Sequence, residues 1–300
     1  MRGSRRLLFP FQTRPAPRAL ALAFVGLAIA RCPGSGPNCE LESASVPLSD
    51  GLEESSGVAP SRAHPGIVWT HVDGGAPYLY AVDRAGGLVG KVRLGGVELT
   101  DAEDLSLATC DGRTCLYLAD LGDNEERRDT VAILRLPEPD PRVDTLARPT
   151  RFPLLLPHGP RDVEAIFVLP GERLYLVSKG RSAPVSVYRY PGPLRAGSAP
   201  VLQEVQRLSD GPRVLPRQVT GASASLDGSV VAIRTYETVS LFREEGDTLA
   251  PLDPGTVNVR SLREPQGEGV GVGEDGEIVL SSEGGPLGQP GSLSALRCSL

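Results

Sequence analysis

A Gly-centred turn followed by a short apolar, β-branched run occurs five times along this chain. The copies read His64-Pro65-Gly66-Ile67-Val68-Trp69, Asp111-Gly112-Arg113-Thr114-Cys115-Leu116-Tyr117-Leu118, Pro170-Gly171-Glu172-Arg173-Leu174-Tyr175-Leu176, Asp227-Gly228-Ser229-Val230-Val231-Ala232-Ile233 and Asp275-Gly276-Glu277-Ile278-Val279-Leu280. Their glycines stand 46, 59, 57 and 48 residues apart. A repeat of roughly 40–50 residues with several strands per unit predicts a β-propeller. With 35 Gly and 28 Pro in 300 residues, strands punctuated by turns are favoured over helices. The expected fold is therefore all-β with five blades, and the longer intervals leave six open. Strands A and B of each blade flank the Gly turn, and C and D follow. The last unit has no D strand of its own, and Cys39–Leu48 can supply one, closing the ring with the N-terminal strand. The Pro-rich stretch 137–160 reads as an extended connection between blades.

The first 30 residues read as a targeting segment, leaving 31–300 as a single propeller domain. Arg2, Arg5, Arg6, Arg14 and Arg18 precede a charge-free run from Ala19 to Ala30, which is too short to span a bilayer comfortably. Ala28-Ile29-Ala30 fits a small-x-small cleavage site. Export to the periplasm, cell envelope or exterior follows. The formal net charge is −6, and setting the leader's arginines aside makes it more negative, which argues against nucleic acid or anionic lipid as a partner.

There are five cysteines. Cys110 and Cys115 flank the second Gly turn, where a disulfide is geometrically easy and implies an oxidising compartment. Cys39 and Cys298 lie near the two ends of the propeller, where a bridge would staple the closed ring. Cys32 is left over, and a lipid anchor or a free or dimer-forming thiol are its alternatives.

Propeller geometry brings the start of each strand A and the end of each strand B to one mouth of the central channel. Carboxylates recur there in four of the five units. Glu54, Glu103, Asp104, Asp123, Asp162, Glu164, Glu268 and Glu283 are the candidate cation ligands. His71, Asp73, Asn124, Lys179, Arg234 and Tyr236 are the candidate ligand-binding residues. Crowded carboxylates need a proton, a basic partner or a cation, and hard oxygen donors suit calcium better than zinc. A solvated acidic rim with ion pairs, a bound cation and direct substrate chemistry are the three readings. Lys179 and Arg234 could supply counter-charge. Gly271-Val272-Gly273-Glu274-Asp275-Gly276 matches G-x-G-x-x-G but precedes a strand rather than a helix, which argues against a dinucleotide turn. P-loop, G-x-S-x-G and H-E-x-x-H patterns are absent. Trp69 reads as a core residue.

The run Glu54 to Asp73, containing Ser56-Gly57-Val58-Ala59-Pro60-Ser61 and Pro65-Gly66-Ile67-Val68-Trp69-Thr70-His71-Val72-Asp73, resembles the opening of a group of secreted bacterial propeller proteins of mostly unknown function. Glu103-Asp104, Gly122-Asp123-Asn124, Asp162-Val163-Glu164-Ala165, Arg234-Thr235-Tyr236, Gly267-Glu268-Gly269 and Ser281-Ser282-Glu283-Gly284 continue the match over about residues 50–290. The Asp-x-Glu and Glu-Gly elements are also similar to those of phytase-like propellers, whose carboxylates bind calcium and phosphate esters. Three functions are thus expected to compete: a propeller binding a cation and a small or extended ligand at the acidic mouth, a calcium-dependent phosphoester hydrolase, and a non-catalytic envelope scaffold for a protein partner.

Overall fold

The computed structural model describes residues 38–300. The expected leader, its cleavage site and the Cys32 anchor lie outside the described residues.

The chain opens with β1 (Cys39–Pro47). The first blade then runs β2 (Ser55–Pro60), β3 (Ile67–Val72), β4 (Tyr78–Asp83) and β5 (Leu88–Leu94). The second has β6 (Ala102–Cys110), β7 (Arg113–Asp120), β8 (Val131–Pro137) and β10 (Thr150–Leu154), with the short β9 (Thr145–Ala147) lying between the last two in sequence. The third has β11 (Val163–Leu169), β12 (Arg173–Ser178), β13 (Ser186–Arg189) and β14 (Gln203–Arg207). The fourth has β15 (Val219–Ala224), β16 (Val231–Thr235), β17 (Thr238–Glu245) and β18 (Thr248–Asn258). The fifth has β19 (Gln266–Val272), β20 (Glu277–Glu283) and β21 (Ser292–Cys298). These form five sheets, antiparallel except for the pairing of β9, and β1 pairs with β21 as the fourth strand of the fifth blade. The blade count is five, and the N-terminal strand closes the ring.

Each Gly turn is a tight hairpin that needs a left-handed residue. Gly112, Gly171, Gly228 and Gly276 all have φ between 75° and 80°, a region that L side chains rarely adopt. This is why the repeat is visible as glycine in the sequence.

One expectation is corrected. The connection 137–160 is not merely extended, because β9 joins the first blade parallel to β5 while β10 pairs with β8 in the second. One segment thus ties two blades together. In the fourth blade the outer strand begins at Thr248, directly after a hairpin. Residues 260–262 form a 3₁₀ turn.

The core is divided among the junctions between blades. Strand β11 shows the cause. Ile166 and Val168 pack against the second blade, while Ala165, Phe167 and Leu169 pack against the fourth. A strand buried on both faces reads as an unbroken apolar run rather than an alternation. One such cluster lies at each of the five junctions. Trp69 is fully buried in the cluster between the first and second blades.

Both expected disulfides are present, Cys39–Cys298 and Cys110–Cys115. They suit an oxidising compartment. The first spans 259 residues of sequence and locks the strand pair that closes the ring. In the loop-entropy account, a closure this long is worth about 5 kcal/mol, and the short one much less. Among the described residues, no helix is long and apolar enough to cross a membrane.

Candidate functional site: an acidic channel mouth

All five inner strands break register with their partners at the same place. The irregularities fall between Ser55 and Val58, Ala102 and Asp104, Val163 and Ala165, Val219 and Gly221, and Gly267 and Val270. Each inserts one extra residue at the mouth end, and such a bulge re-aims the side chain it carries. The equivalent bulge residues are Ser56, Glu103, Glu164, Thr220 and Glu268. Two short hydroxyls and three glutamates therefore form one ring around the channel. The hydroxyls lace it together, because Ser56 Oγ donates to the Glu103 carbonyl and Thr220 Oγ1 donates to the Glu268 carbonyl at 2.9 Å.

The residues just beyond the inner hairpins add Asp73, Lys179, Tyr236 and Glu283 at one equivalent position. Lys179 Nζ donates to Glu164 Oε1 at 2.7 Å and lies 3.9 Å from Asp162 Oδ2. Burial opposes its charge, but Glu164, Tyr236 and Asp162 hold its pKa above the usual lysine range. The carboxyls crowd one another. Burial, Glu164 and Asp101 push the Glu103 pKa up. Burial raises Glu164, and Asp162 adds to this against the pull of Lys179. Burial raises Glu268 well above its normal value, with Glu283 and Glu164 adding to the effect. Burial, Asp73 and Glu54 push Glu283 up to about 7. Burial and the hydrogen-bonded Asp73 carboxyl raise Asp101.

Gly122 explains how two of these groups meet. A Cβ there would overlap both Glu103 Oε1 and the Asp101 carboxylate. Among the described residues, no N–H or O–H donates to the Glu103 carboxylate. Asp162 is 2 % exposed, and its Oδ2 accepts no hydrogen bond but lies 3.5 Å from Arg181 Nη2 and 3.9 Å from Lys179 Nζ. The mouth thus holds a surplus of acceptors over donors. As the side chains stand, no three Asp, Glu, His or Cys residues among the described residues meet closely enough to coordinate one metal ion.

Several expected site residues have other work. Asp104 is fully buried below the ring. Its Oδ1 accepts from Leu105 N at 2.8 Å, and its Oδ2 accepts from Ile166 N at 2.9 Å and Ala222 N at 3.1 Å. One carboxylate so ties the inner strands of three blades, and it is not free to bind a cation. Burial pushes its pKa up to about 7, against the pull of those three N–H groups. Asp123 is spent on the Arg127 and Arg128 N–H groups at 2.9 and 2.7 Å, organising its own loop. Asn124 is exposed and accepts from Arg181 Nη1 at 2.9 Å. Glu54 is exposed on the rim.

His71 and Arg234 do not face the mouth. They occupy the same position of the second strand, opposite the bulge, as does Ser281, and all three are buried. His71 Nε2 accepts from Gly57 N at 3.1 Å, so the ring is neutral and burial pushes its pKa down to about 4. Arg234 Nη1 donates to the Gly269 and Ser281 carbonyls at 2.7 and 2.8 Å, and Nη2 pairs with Glu264. Neither can touch a ligand at the mouth. A phosphate would find Arg234 sealed away and Lys179 already paired. Asp101, Glu264 and the bulge hydroxyls belong to the geometry of this region and were left out of the site by the sequence reading. Asp101 sits two residues before Glu103, the same acid-x-acid spacing as Asp162 and Glu164, and that signal was available.

No family model matches the sequence. No curated protein matches it. Among solved structures, the PQQ-bound form of an aldose sugar dehydrogenase from Streptomyces coelicolor aligns over 88% of this chain and 98% of its own, with 12% identity and a TM-score of 0.51. A glucose dehydrogenase aligns over 86% of this chain and 100% of its own, with 14% identity and a TM-score of 0.51. At these identities the likeness is one of fold, and the chain shares with those enzymes the propeller architecture.

Proposed function

We propose that this chain is an exported, ligand-binding propeller whose acidic mouth takes up a divalent cation, calcium by its chemistry. The observation that carries the reading is the Glu103 carboxylate. It is pressed against Asp101 over Gly122, close to Asp73, with no donor and no side-chain cation of its own. Lys179 is committed to Glu164 on the other side of the ring. The donors are all carboxylate oxygens, with neither thiolate nor imidazole among them, which fits a hard cation. Binding requires Glu103, Asp101 and Asp73 to turn toward a common point. Bound calcium would neutralise the crowded carboxylates and offer open positions to an oxygen-bearing ligand.

The test is thermal unfolding of the protein in EDTA and then in millimolar calcium. The expected result is a rise in the midpoint that Glu103→Gln abolishes, since an ion bound only by the native state stabilises it by mass action. An unchanged wild-type midpoint would overturn the reading and leave the mouth as a protonated, ion-paired rim.

A further inference from the structure

A cavity lies away from the channel axis. It is a cleft of about 420 Å³ between the third and fourth blades, opening on the same face as the mouth. Its floor is apolar, with Val185, Ile233 and Phe242 among the lining side chains, and its rim carries Arg213, Arg217 and Arg260. Arg260 is paired with Glu237. Among the described residues, no carboxylate pairs with Arg213 or Arg217.

These two arginines stand on an anchored segment. Arg213 N donates to the Gly180 carbonyl at 2.6 Å, and Arg217 N donates to the Val214 carbonyl at 2.9 Å. Gln218, itself buried, donates from Nε2 to the Arg213 carbonyl at 3.0 Å. At the other end, Val185 N donates to Ser209 Oγ at 2.9 Å. Arg213 is half-buried and Arg217 exposed, and both line the same cleft as Val185, Ile233 and Phe242. Guanidinium forks match the geometry of carboxylate and phosphoryl oxygens. The cleft is of ordinary size for a small-molecule site, roughly 300–1,000 Å³.

We propose that this cleft binds a small amphipathic oxyanion, with its charged group on Arg213 and Arg217 and its apolar body over Ile233 and Phe242. The site does not depend on cation binding at the mouth. It would place an anionic ligand beside the acidic ring while keeping the two charges apart.

The experiment is calorimetric titration of the protein, in EDTA, with octyl phosphate below its micellar concentration. Octanoate and inorganic phosphate are run in parallel, together with a sedimentation assay on anionic phospholipid vesicles. Saturable, salt-sensitive binding of octyl phosphate or octanoate is expected, with inorganic phosphate much weaker because it leaves the floor uncovered. The preferred headgroup identifies the oxyanion. Arg213→Gln with Arg217→Gln should weaken binding by about tenfold or more, and Phe242→Ala should weaken the octyl compounds. An unfolding midpoint unchanged by the arginine substitutions would show that the fold is intact. The proposal is overturned if neither octyl compound binds the wild type, if the arginine variant binds equally well, or if only vesicles bind.

Discussion

The two faces of the disc are built from the same residue types and treat charge in opposite ways. On the face of the Gly turns, carboxylates meet donors from neighbouring blades. Trp69 Nε1 donates to Glu138 at 2.9 Å across the first junction. Tyr117 donates its hydroxyl to Glu172 at 2.7 Å, and Arg135 pairs with the same carboxylate across the second. Tyr175 donates to Asp247 at 3.1 Å and Arg173 Nη2 donates to Glu244 at 2.8 Å across the third. This girdle is a finished structure. At the mouth, Lys179 and Arg181 pair with Asp162 and Glu164, while among the described residues Glu103 has no donor. Partly buried groups that are satisfied add stability, and those that are not cost it. On the proposed reading, this cost is what a bound cation would relieve.

The comparison can be broken most forcefully at Asp104, which belongs to the mouth by position but to the girdle by chemistry. Asp104→Ala should strand three buried N–H groups and lower stability by about 3 kcal/mol or more in urea unfolding. A loss below about 1 kcal/mol would mean that the three-blade tie contributes little. Next, Glu172→Ala on the opposite face should cost about 1–2 kcal/mol, because Arg135 and Tyr117 both lose their partner. That substitution should leave any calcium response untouched. A smaller effect of opposite sign is expected for Glu103→Gln, which should raise the midpoint in EDTA by relieving crowded charge. Destabilisation there would show that Glu103 is already satisfied.

The pH dependence sharpens the contrast further. Asp104 and Glu283 are each pushed up to about 7 in the folded protein. Their contribution is fully present below the unfolded carboxylate range and is lost as pH rises through about 7. His71 works in the other direction. Its pKa falls to about 4 on folding, so its contribution is full above pH 6.5 and is lost as pH falls toward 4. In EDTA, stability should therefore fall as pH rises from the unfolded carboxylate range toward 7, because the raised carboxyls outnumber His71, which only makes the decline shallower. Calcium should flatten this decline, and Glu103→Gln should remove that effect. A monotonic rise from pH 5 to 8 in EDTA would contradict the crowded mouth.

Much of this was legible in advance, for local reasons. Gly turns with positive φ and buried β-branched runs are set by their own few residues, so five hairpins could be counted. The missing fourth strand of the last blade pointed to Cys39 as the closing partner of Cys298. The region of the site was also legible, since strand ends must converge on a propeller axis. The roles of single residues were not. His71 and Arg234 read as mouth residues because they end a strand, yet one position separates a buried side chain from an exposed one. Lys179 and Arg234 are both basic residues near the ends of equivalent strands. The first lies just beyond its strand, in the ring, and the second lies opposite the bulge, inside the wall.

The sequence by itself determined the repeat, the blade count within one, the closing strand and the acidic character of one face, because turn chemistry and apolar patterning are written in neighbouring residues. Only the tertiary structure decided which carboxylates are spent and which are left over. That depends on bulges in strand pairing and on donors brought from other blades, as when Ala222 reaches Asp104 across 118 residues of chain.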